Sequence, residues 1–240
     1  MERTAVRGRL TWQAGTVVEL VEETEHAKSI VLDVPDWQGH RAGQHIDVRL
    51  TAEDGYQTER SYSIASAPED ARLEITVERI DDGEVSPYLT DELRPGDALE
   101  LRGPVGGYFV WEAALGGPVL LVAGGSGVVP LRAILRHHRA IDSDVPVRLL
   151  YSARMQADLI YRAELESFDT VITLTREQWS GRTGRVDQQL LGEVGWPPGE
   201  RPLAYVCGPT GFVEAVANAL VELGHEQGRI KTERFGPTGR

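Results

Sequence analysis

Apolar and polar residues alternate with a period of two through the first hundred residues. The runs are short: Thr16-Val17-Val18-Glu19-Leu20, Ile30-Val31-Leu32-Asp33-Val34, His45-Ile46-Asp47-Val48-Arg49-Leu50 and Leu73-Glu74-Ile75-Thr76-Val77, with Gly, Pro and Asp between them. Such alternation puts one face of each strand on a core and the other in water, and this spacing predicts an antiparallel barrel. Leu99 and Leu101 resume the pattern after the turn Pro95-Gly96-Asp97 and supply a sixth strand. One short helix is predicted among them, with Ser86 as N-cap and Pro87 in the first helical position.

After Gly116-Gly117-Pro118 the pattern changes. Val119-Leu120-Leu121-Val122-Ala123 is continuously apolar, as expected of a parallel strand covered on both faces. Further strands are predicted at Val147–Tyr151, Val171–Leu174 and Leu203–Val206, alternating with helices at Leu131–Leu135 and Phe212–Leu223. The expected fold is therefore β + α/β: a six-stranded antiparallel barrel over residues 1–113, then a doubly wound parallel-sheet domain over 114–240.

The length, 240 residues, suits two such domains. No apolar run nears the roughly 20 residues of a membrane span. The first ten residues carry Arg3, Arg7 and Arg9 with no hydrophobic stretch behind them, so a cytoplasmic protein without membrane contact is expected. A net charge of -12 argues against nucleic acid as a partner, because tracking phosphates needs clustered positive charge. The single cysteine, Cys207, excludes a disulfide framework and an iron-sulfur cluster held by four cysteines of this chain, so an iron-sulfur partner would be a separate protein. The six histidines, His137-His138 among them, form no ligand set, and no metal is expected.

Two segments carry candidate chemistry. Gly124-Gly125-Ser126-Gly127-Val128-Val129-Pro130 joins a buried strand to a helix predicted to open with Pro130. Glycines there let backbone N–H groups approach a pyrophosphate, whose charge the helix dipole favours. The loop departs from the common dinucleotide fingerprint, and a tight turn without ligand is its other reading. About 20 residues on, a site for NAD normally supplies an acid for the ribose, whereas a 2′-phosphate calls for arginine. This chain has Tyr151-Ser152-Ala153-Arg154 there, then Arg176 after the next strand, and Arg182 and Arg185 in a glycine-rich loop. Guanidinium groups following successive strands converge on one sheet edge and suit a phosphomonoester; a scatter of solvated arginines is the alternative. Asp158 is expected to cap a helix rather than hold a ribose.

In the barrel, Arg60-Ser61-Tyr62-Ser63 puts a fixed cation, hydroxyls and an aromatic on one strand. Alternation separates Arg60 and Tyr62 from Ser61 and Ser63, so a bend or twist must bring them to one ligand.

With both segments in this order, the sequence resembles the ferredoxin-NADP reductase superfamily over nearly its whole length. The resemblance implies FAD, with Arg60 on its pyrophosphate, Ser61 in the same motif, Tyr62 against the isoalloxazine ring and Ser63 near the reactive flavin nitrogen. Thr76 and Val77, then Gly83, Val85 and Ser86, are similar to the family's second flavin element, where backbone amides and a serine bind phosphate. Gly124, Gly125, Ser126 and Gly127 resemble the nicotinamide-nucleotide loop, and Cys207, Gly208 and Pro209 the loop beside the nicotinamide. Arg154, Arg176 and Arg185 resemble the 2′-phosphate positions of NADP-dependent members, and Glu233 and Phe235 the segment reaching the opposite flavin face. The resemblance thus implies NADPH (or NADH) as co-substrate and hydride transfer to FAD, with Ser63, Cys207, Glu233 and Phe235 at the reacting centre. Electrons would leave singly to a separate acceptor, an iron-sulfur protein such as a ferredoxin or an oxygenase component, from a monomeric reductase. A reductase of free flavin, quinone or oxygen and a non-catalytic flavin-containing regulatory subunit are the alternatives. A local basic patch at Arg3, Arg7, Arg9 and Arg41 offers a docking point despite the overall acidity.

Overall fold

A computed structural model describes residues 10–52 and 54–236; Arg3, Arg7 and Arg9 lie outside the described residues. Six strands form the first sheet: β1 (Gln13–Thr24), β2 (Ala27–Asp33), β3 (His45–Thr51), β4 (Gln57–Ser63), β5 (Leu73–Glu78) and β6 (Ala98–Val105). They pair antiparallel throughout, in the order β4-β3-β6-β1-β2-β5. A bridge between Ile64 and Ile75 joins the two ends into a barrel, backed by the Ala65 N–H donating to Glu74 O at 2.7 Å. Alternation fills the interior, with Ile30, Leu32, Ile46, Val48, Ile75, Leu99 and Leu101 all fully buried. Each such side chain contributes on the order of 1.5–3 kcal/mol relative to exposure.

The predicted cap at Ser86 is displaced. Ser86 and Pro87 both lie inside the first turn, and the Leu89 N–H reaches back to Val85 O. The Ser86 hydroxyl instead accepts from the Ile80 N–H at 3.0 Å, because the 80–86 turn brings that donor onto it. The helical turn is wide, closing with the Leu93 N–H on Tyr88 O.

The second sheet is parallel and contains β7 (Val119–Gly124), β8 (Val147–Ala153), β9 (Thr170–Leu174), β10 (Arg182–Thr183), β11 (Leu203–Pro209) and β12 (Ile230–Phe235), in the order β10-β9-β8-β7-β11-β12. Four α-helices accompany it: α1 (Val128–Ala140), α2 (Arg162–Leu165), α3 (Gln188–Val194) and α4 (Thr210–Glu222). Leu131, Ile134 and Leu135 of α1 cover the face bearing Leu121 and Tyr151. Residues of α3 and α4 cover the opposite face, bearing Leu120 and Val122. The helix after the glycine loop begins at Val128, two residues before Pro130, which sits in the first turn where its missing N–H leaves no bond unmade. Strand β12 was not foreseen, since Ile230 is its only buried residue.

The chain runs outward from β7 to β10, then returns to add β11 on the other side of β7. That reversal opens a crevice at the carboxyl ends of β7 and β11, the position at which open α/β sheets take ligands.

Barrel and α/β half are packed together. Ala42, Ala65, Phe109 and Trp111 share one apolar core with the α1 side of the parallel sheet, and the Tyr205 hydroxyl donates to Val110 O at 2.9 Å. Arg132 of α1, with only 9% of its side chain exposed, donates to Glu74 of the barrel and Glu164 beside it, both at 2.7 Å. Its guanidinium lies over the Tyr161 ring, 4.2 Å from the centroid. The Tyr161 hydroxyl in turn meets Thr76. Arg136, one turn further along α1, adds Asp70 at 3.1 Å.

Candidate cofactor site

The glycine loop is compressed against the neighbouring strand end. A Cβ on Gly127 would stand 2.1 Å from Cys207 O, and one on Gly124 or Gly208 would stand 2.8 Å from the Phe212 ring. These glycines bring Gly124–Gly127 and Cys207–Gly208 into one crevice at the switch point. Gly125 differs, having φ +54° and nothing within 4 Å of an added Cβ, so its constraint is conformational rather than one of space.

Arg154 and Arg176 follow neighbouring strands and are tied by the Arg176 N–H donating to Arg154 O at 2.9 Å. The Gly184 N–H donates to Leu174 O at 2.9 Å, which sets Arg185 just beyond the same strand ends. All three side chains are exposed. Arg182 is instead bound to Glu193 at 2.7 Å. The nearby acids are engaged elsewhere: Glu177 accepts from the backbone N–H and side-chain amide of Gln156, each at 2.7 Å, and Asp158 closes its own turn by accepting from the Met155 N–H at 3.1 Å.

On the barrel, β4 is a terminal strand of the sheet, laddered to β3 on one side and meeting β5 only through the Ile64–Ile75 bridge just past its end, and side chains alternate along it. Tyr62 pairs with Ile46 and packs toward the interior, while Ser61 and Ser63 pair with Asp47 and His45 on the outer face. A planar ligand touching Tyr62 and Ser63 together must therefore lie along this edge. Ser61 donates to Asp47 at 2.7 Å. Arg60 is exposed, donating to Glu59 O at 2.7 Å and to Thr58. Burial pushes the Tyr62 phenol upward, so it stays neutral.

In the second flavin element, the Val77 and Val85 side chains belong to the barrel core, and Thr76 is 5% exposed and held by Ser29 and Tyr161. Only backbone groups of Thr76, Val77 and Val85 remain for a ligand. Gly83 is needed for steric reasons, since an added Cβ would lie 3.0 Å from the Ser86 hydroxyl and from Ile80 O. Having accepted from Ile80, Ser86 keeps its own O–H to donate.

Strand β12 bridges the halves by alternation. Lys231 lies 4.5 Å from the Tyr108 ring centroid, Glu233 approaches His45 at 4.0 Å, and Phe235 packs on the core containing Cys207. Glu233 and Cys207 are register partners. Oxygen Oε2 of Glu233 is buried without a hydrogen-bond partner, and burial pushes the carboxyl up to about 7. Burial also raises the Cys207 thiol, helped by Glu233, so the sulfur is held as a neutral thiol in the core. Exposed Arg60 and the Ser86 O–H, still able to donate, suit phosphate, and the buried Glu233 oxygen without a partner is a polar atom that a bound ring can satisfy, so the residues fit a flavin and a nucleotide.

Strand β12 thus sets Glu233 beside Cys207 on β11 and beside His45, the cross-strand partner of Ser63, and packs Phe235 on the core containing Cys207, while the glycine loop lies against Cys207 and Arg154, Arg176 and Arg185 each follow a strand end of the parallel sheet. Sequence reasoning missed His45. Its only signal was a polar residue opening an otherwise alternating strand, and nothing local placed it against Glu233, 188 positions away. A groove of about 390 Å³ lined by Val31, Asp33, Asp70, Ala71, Arg72, Glu74 and Arg136 shares no residue with these segments and flanks the Arg136 ion pairs instead.

Glu233 carries a pH prediction. Its raised value means that the folded chain holds a proton that the unfolded chain, near 4.5, has lost. The stabilisation is fully present below about pH 4.5 and is lost as pH rises through 7, amounting to at most about 3 kcal/mol for a side chain 27% exposed. Relative to wild type, Glu233→Gln is expected to gain stability by up to that amount between pH 4.5 and 8, as read by urea unfolding at both pH values.

A barrel whose terminal strand presents an exposed Arg60, joined to a doubly wound sheet with a glycine loop at its switch point, defines a two-domain flavin and nicotinamide-nucleotide oxidoreductase. Residues 15–110 match the oxidoreductase FAD-binding domain and residues 121–218 the oxidoreductase NAD-binding domain. Ferredoxin--NADP reductase B of Sorangium cellulosum is 36% identical over 212 residues, covering 81% of this chain and 84% of that protein. The glycine betaine monooxygenase reductase subunit of Pseudomonas aeruginosa is 30% identical over 246 residues, covering 95% of this chain, and the chain spans 66% of that subunit's length. The FAD/NAD-binding domain of nitric oxide dioxygenase from Vibrio cholerae superposes with a TM-score of 0.84 at 28% identity, covering 94% of this chain and 99% of that one. The chain belongs to the ferredoxin-NADP reductase superfamily. Among the described residues, no helix is long and apolar enough to cross a membrane.

Proposed function

We propose that the chain is an NAD(P)H-dependent flavoprotein reductase that takes hydride from NADPH and passes electrons singly to a separate redox protein, an iron-sulfur carrier or oxygenase component. The observation that carries this reading is that β12 sets Glu233 beside Cys207 of the α/β half and against His45, the cross-strand partner of Ser63 in the barrel, with the glycine loop packed on Cys207. The reductase components among its relatives support it. When bound, FAD supplies the step from hydride to single electrons. The chain's own residues do the rest. Arg60 and the Ser86 O–H bind phosphate, Ser63 donates from the outer face of β4, Tyr62 offers a neutral ring at the edge, and Cys207 and Phe235 exclude water. Glu233 holds a proton near neutral pH. The working division falls near residue 113.

The preference for NADPH rests on Arg154, Arg176 and Arg185, exposed together with the neighbouring carboxylates engaged elsewhere. Replacing Arg154 or Arg185 by alanine is expected to raise the KM for NADPH 10-fold or more, each lost charge-assisted pair being worth roughly 1.5–3 kcal/mol, while the KM for NADH changes less than 2-fold. Steady-state kinetics with both donors and an artificial dye checks this. Equal losses with both donors would refute a 2′-phosphate site.

A further inference from the structure

The barrel and the α/β half each send one titratable group to the same spot. His45 opens β3, half-buried, on the outer face of the barrel with its cross-strand partner Ser63. Its ring lies against the 106 turn, where a Cβ on Gly106 would stand 3.3 Å from Nδ1. From the other half, β12 brings Glu233 Oε1 to 4.0 Å from that nitrogen, while Oε2 has no partner. Among the other charged or titratable neighbours, Asp47 also acts on the imidazole and favours its charged form. Asp47, two residues along β3, is held by Arg102 at 2.8 Å and Ser61 at 2.7 Å. Cys207, across from Glu233 on β11, is a neutral thiol. Lys231, two residues back on β12, sits over the Tyr108 ring.

We propose that His45 is a positioning residue for Glu233, the imidazole and the carboxyl sharing one mobile proton across the domain boundary. The proton leaves Glu233 Oε1 for His45 Nδ1, giving carboxylate and imidazolium, and returns by the same path. No other bond changes. The gap is longer than a hydrogen bond, and a small rotation of the carboxyl would close it. Burial lowers the histidine and raises the acid to about 7, opposite shifts that remove the imidazole's ordinary advantage over a carboxyl in holding the proton. Part-buried charges at this separation interact with little screening. The role at a reacting centre rests on the proposed flavin function; the coupling does not, since it belongs to the flavin-free chain.

The test is an NMR titration of the full chain without flavin, following the His45 ring nitrogens in wild type and Glu233→Gln, and the Glu233 carboxyl carbon in wild type and His45→Gln. Because coupling is reciprocal, Glu233→Gln is expected to lower the His45 midpoint and His45→Gln to raise the Glu233 midpoint by the same amount, about half a pH unit or more. The other histidines report that each variant is folded, and either variant alone is decisive. Midpoints that stay put overturn the proposal whether or not the protein binds flavin. In flavin-loaded protein, His45→Gln is expected to shift the pH profile of reduction and leave the nucleotide KM unchanged; an unshifted profile would remove the positioning role.

Discussion

Replacing Gly127 by alanine is expected to slow reduction by NADPH on the order of 100-fold while FAD stays bound. The methyl would be placed 2.1 Å from Cys207 O and 2.4 Å from its carbonyl carbon. Both obstacles are backbone atoms of Cys207 in β11 of the parallel sheet, and Gly127 belongs to the backbone entering α1, so no side chain can swing away. The overlap is relieved only by moving the loop from the strand end, and overpacking of this kind typically costs 1–3 kcal/mol. The larger effect is geometric, since a misplacement near 1 Å at a reacting centre is worth about 100-fold in rate. The flavin elements lie on the barrel, which explains why the visible spectrum of the variant should be retained. Gly125→Ala is the contrasting control. It meets nothing within 4 Å and suffers only from φ +54°, for which an L residue pays roughly 1–2 kcal/mol. Stopped-flow reduction of the two variants checks the ordering, and equal rates would show that contact with Cys207 does not set the loop.

The second large effect is on stability. Arg132→Met should destabilise the protein by about 3–5 kcal/mol, because it leaves Glu74 and Glu164 with like charges in a nearly closed space. Arg136 compensates in part, reaching Glu164 at 3.3 Å and Glu74 at 3.6 Å, which places the loss toward the lower end. Adding Glu74→Gln to Arg132→Met should recover a good part of it, since the destabilisation comes from the unpaired acid rather than from the missing contact. Urea unfolding of wild type, single and double variants measures both steps. A single-variant loss below about 1 kcal/mol would mean that the ion pairs are as dispensable as solvent-exposed ones.

Much of the fold was legible because burial follows short-range rules. Alternation in Leu73-Glu74-Ile75 and Leu99-Glu100-Leu101 marks barrel strands, and the unbroken run from Val119 marks a central parallel strand in which every residue is buried. Strand β12 escaped because it is an edge strand whose alternation carries Lys231, Glu233 and Phe235 toward the barrel rather than apolar residues toward a sheet core. Glu74 and Arg132 each looked like ordinary solvent-facing charges. The face of β5 bearing Glu74 is covered by a helix from the other half of the chain, and only the tertiary structure shows it. In the site, the glycine loop and the Arg60 segment stand out in sequence, yet their meaning depends on how Cys207, Glu233 and His45 approach them from distant positions. The compression of Gly127 against Cys207 gives that loop a steric reason independent of any ligand.

The most direct test is the absorption spectrum of the purified chain, titrated without oxygen first with NADPH and then, in a separate sample, with NADH. The expected result is a yellow, FAD-loaded protein that bleaches with one equivalent of NADPH and needs more NADH to reach the same point. A protein that binds FAD but keeps its yellow colour in the presence of either donor would contradict a hydride-accepting reductase.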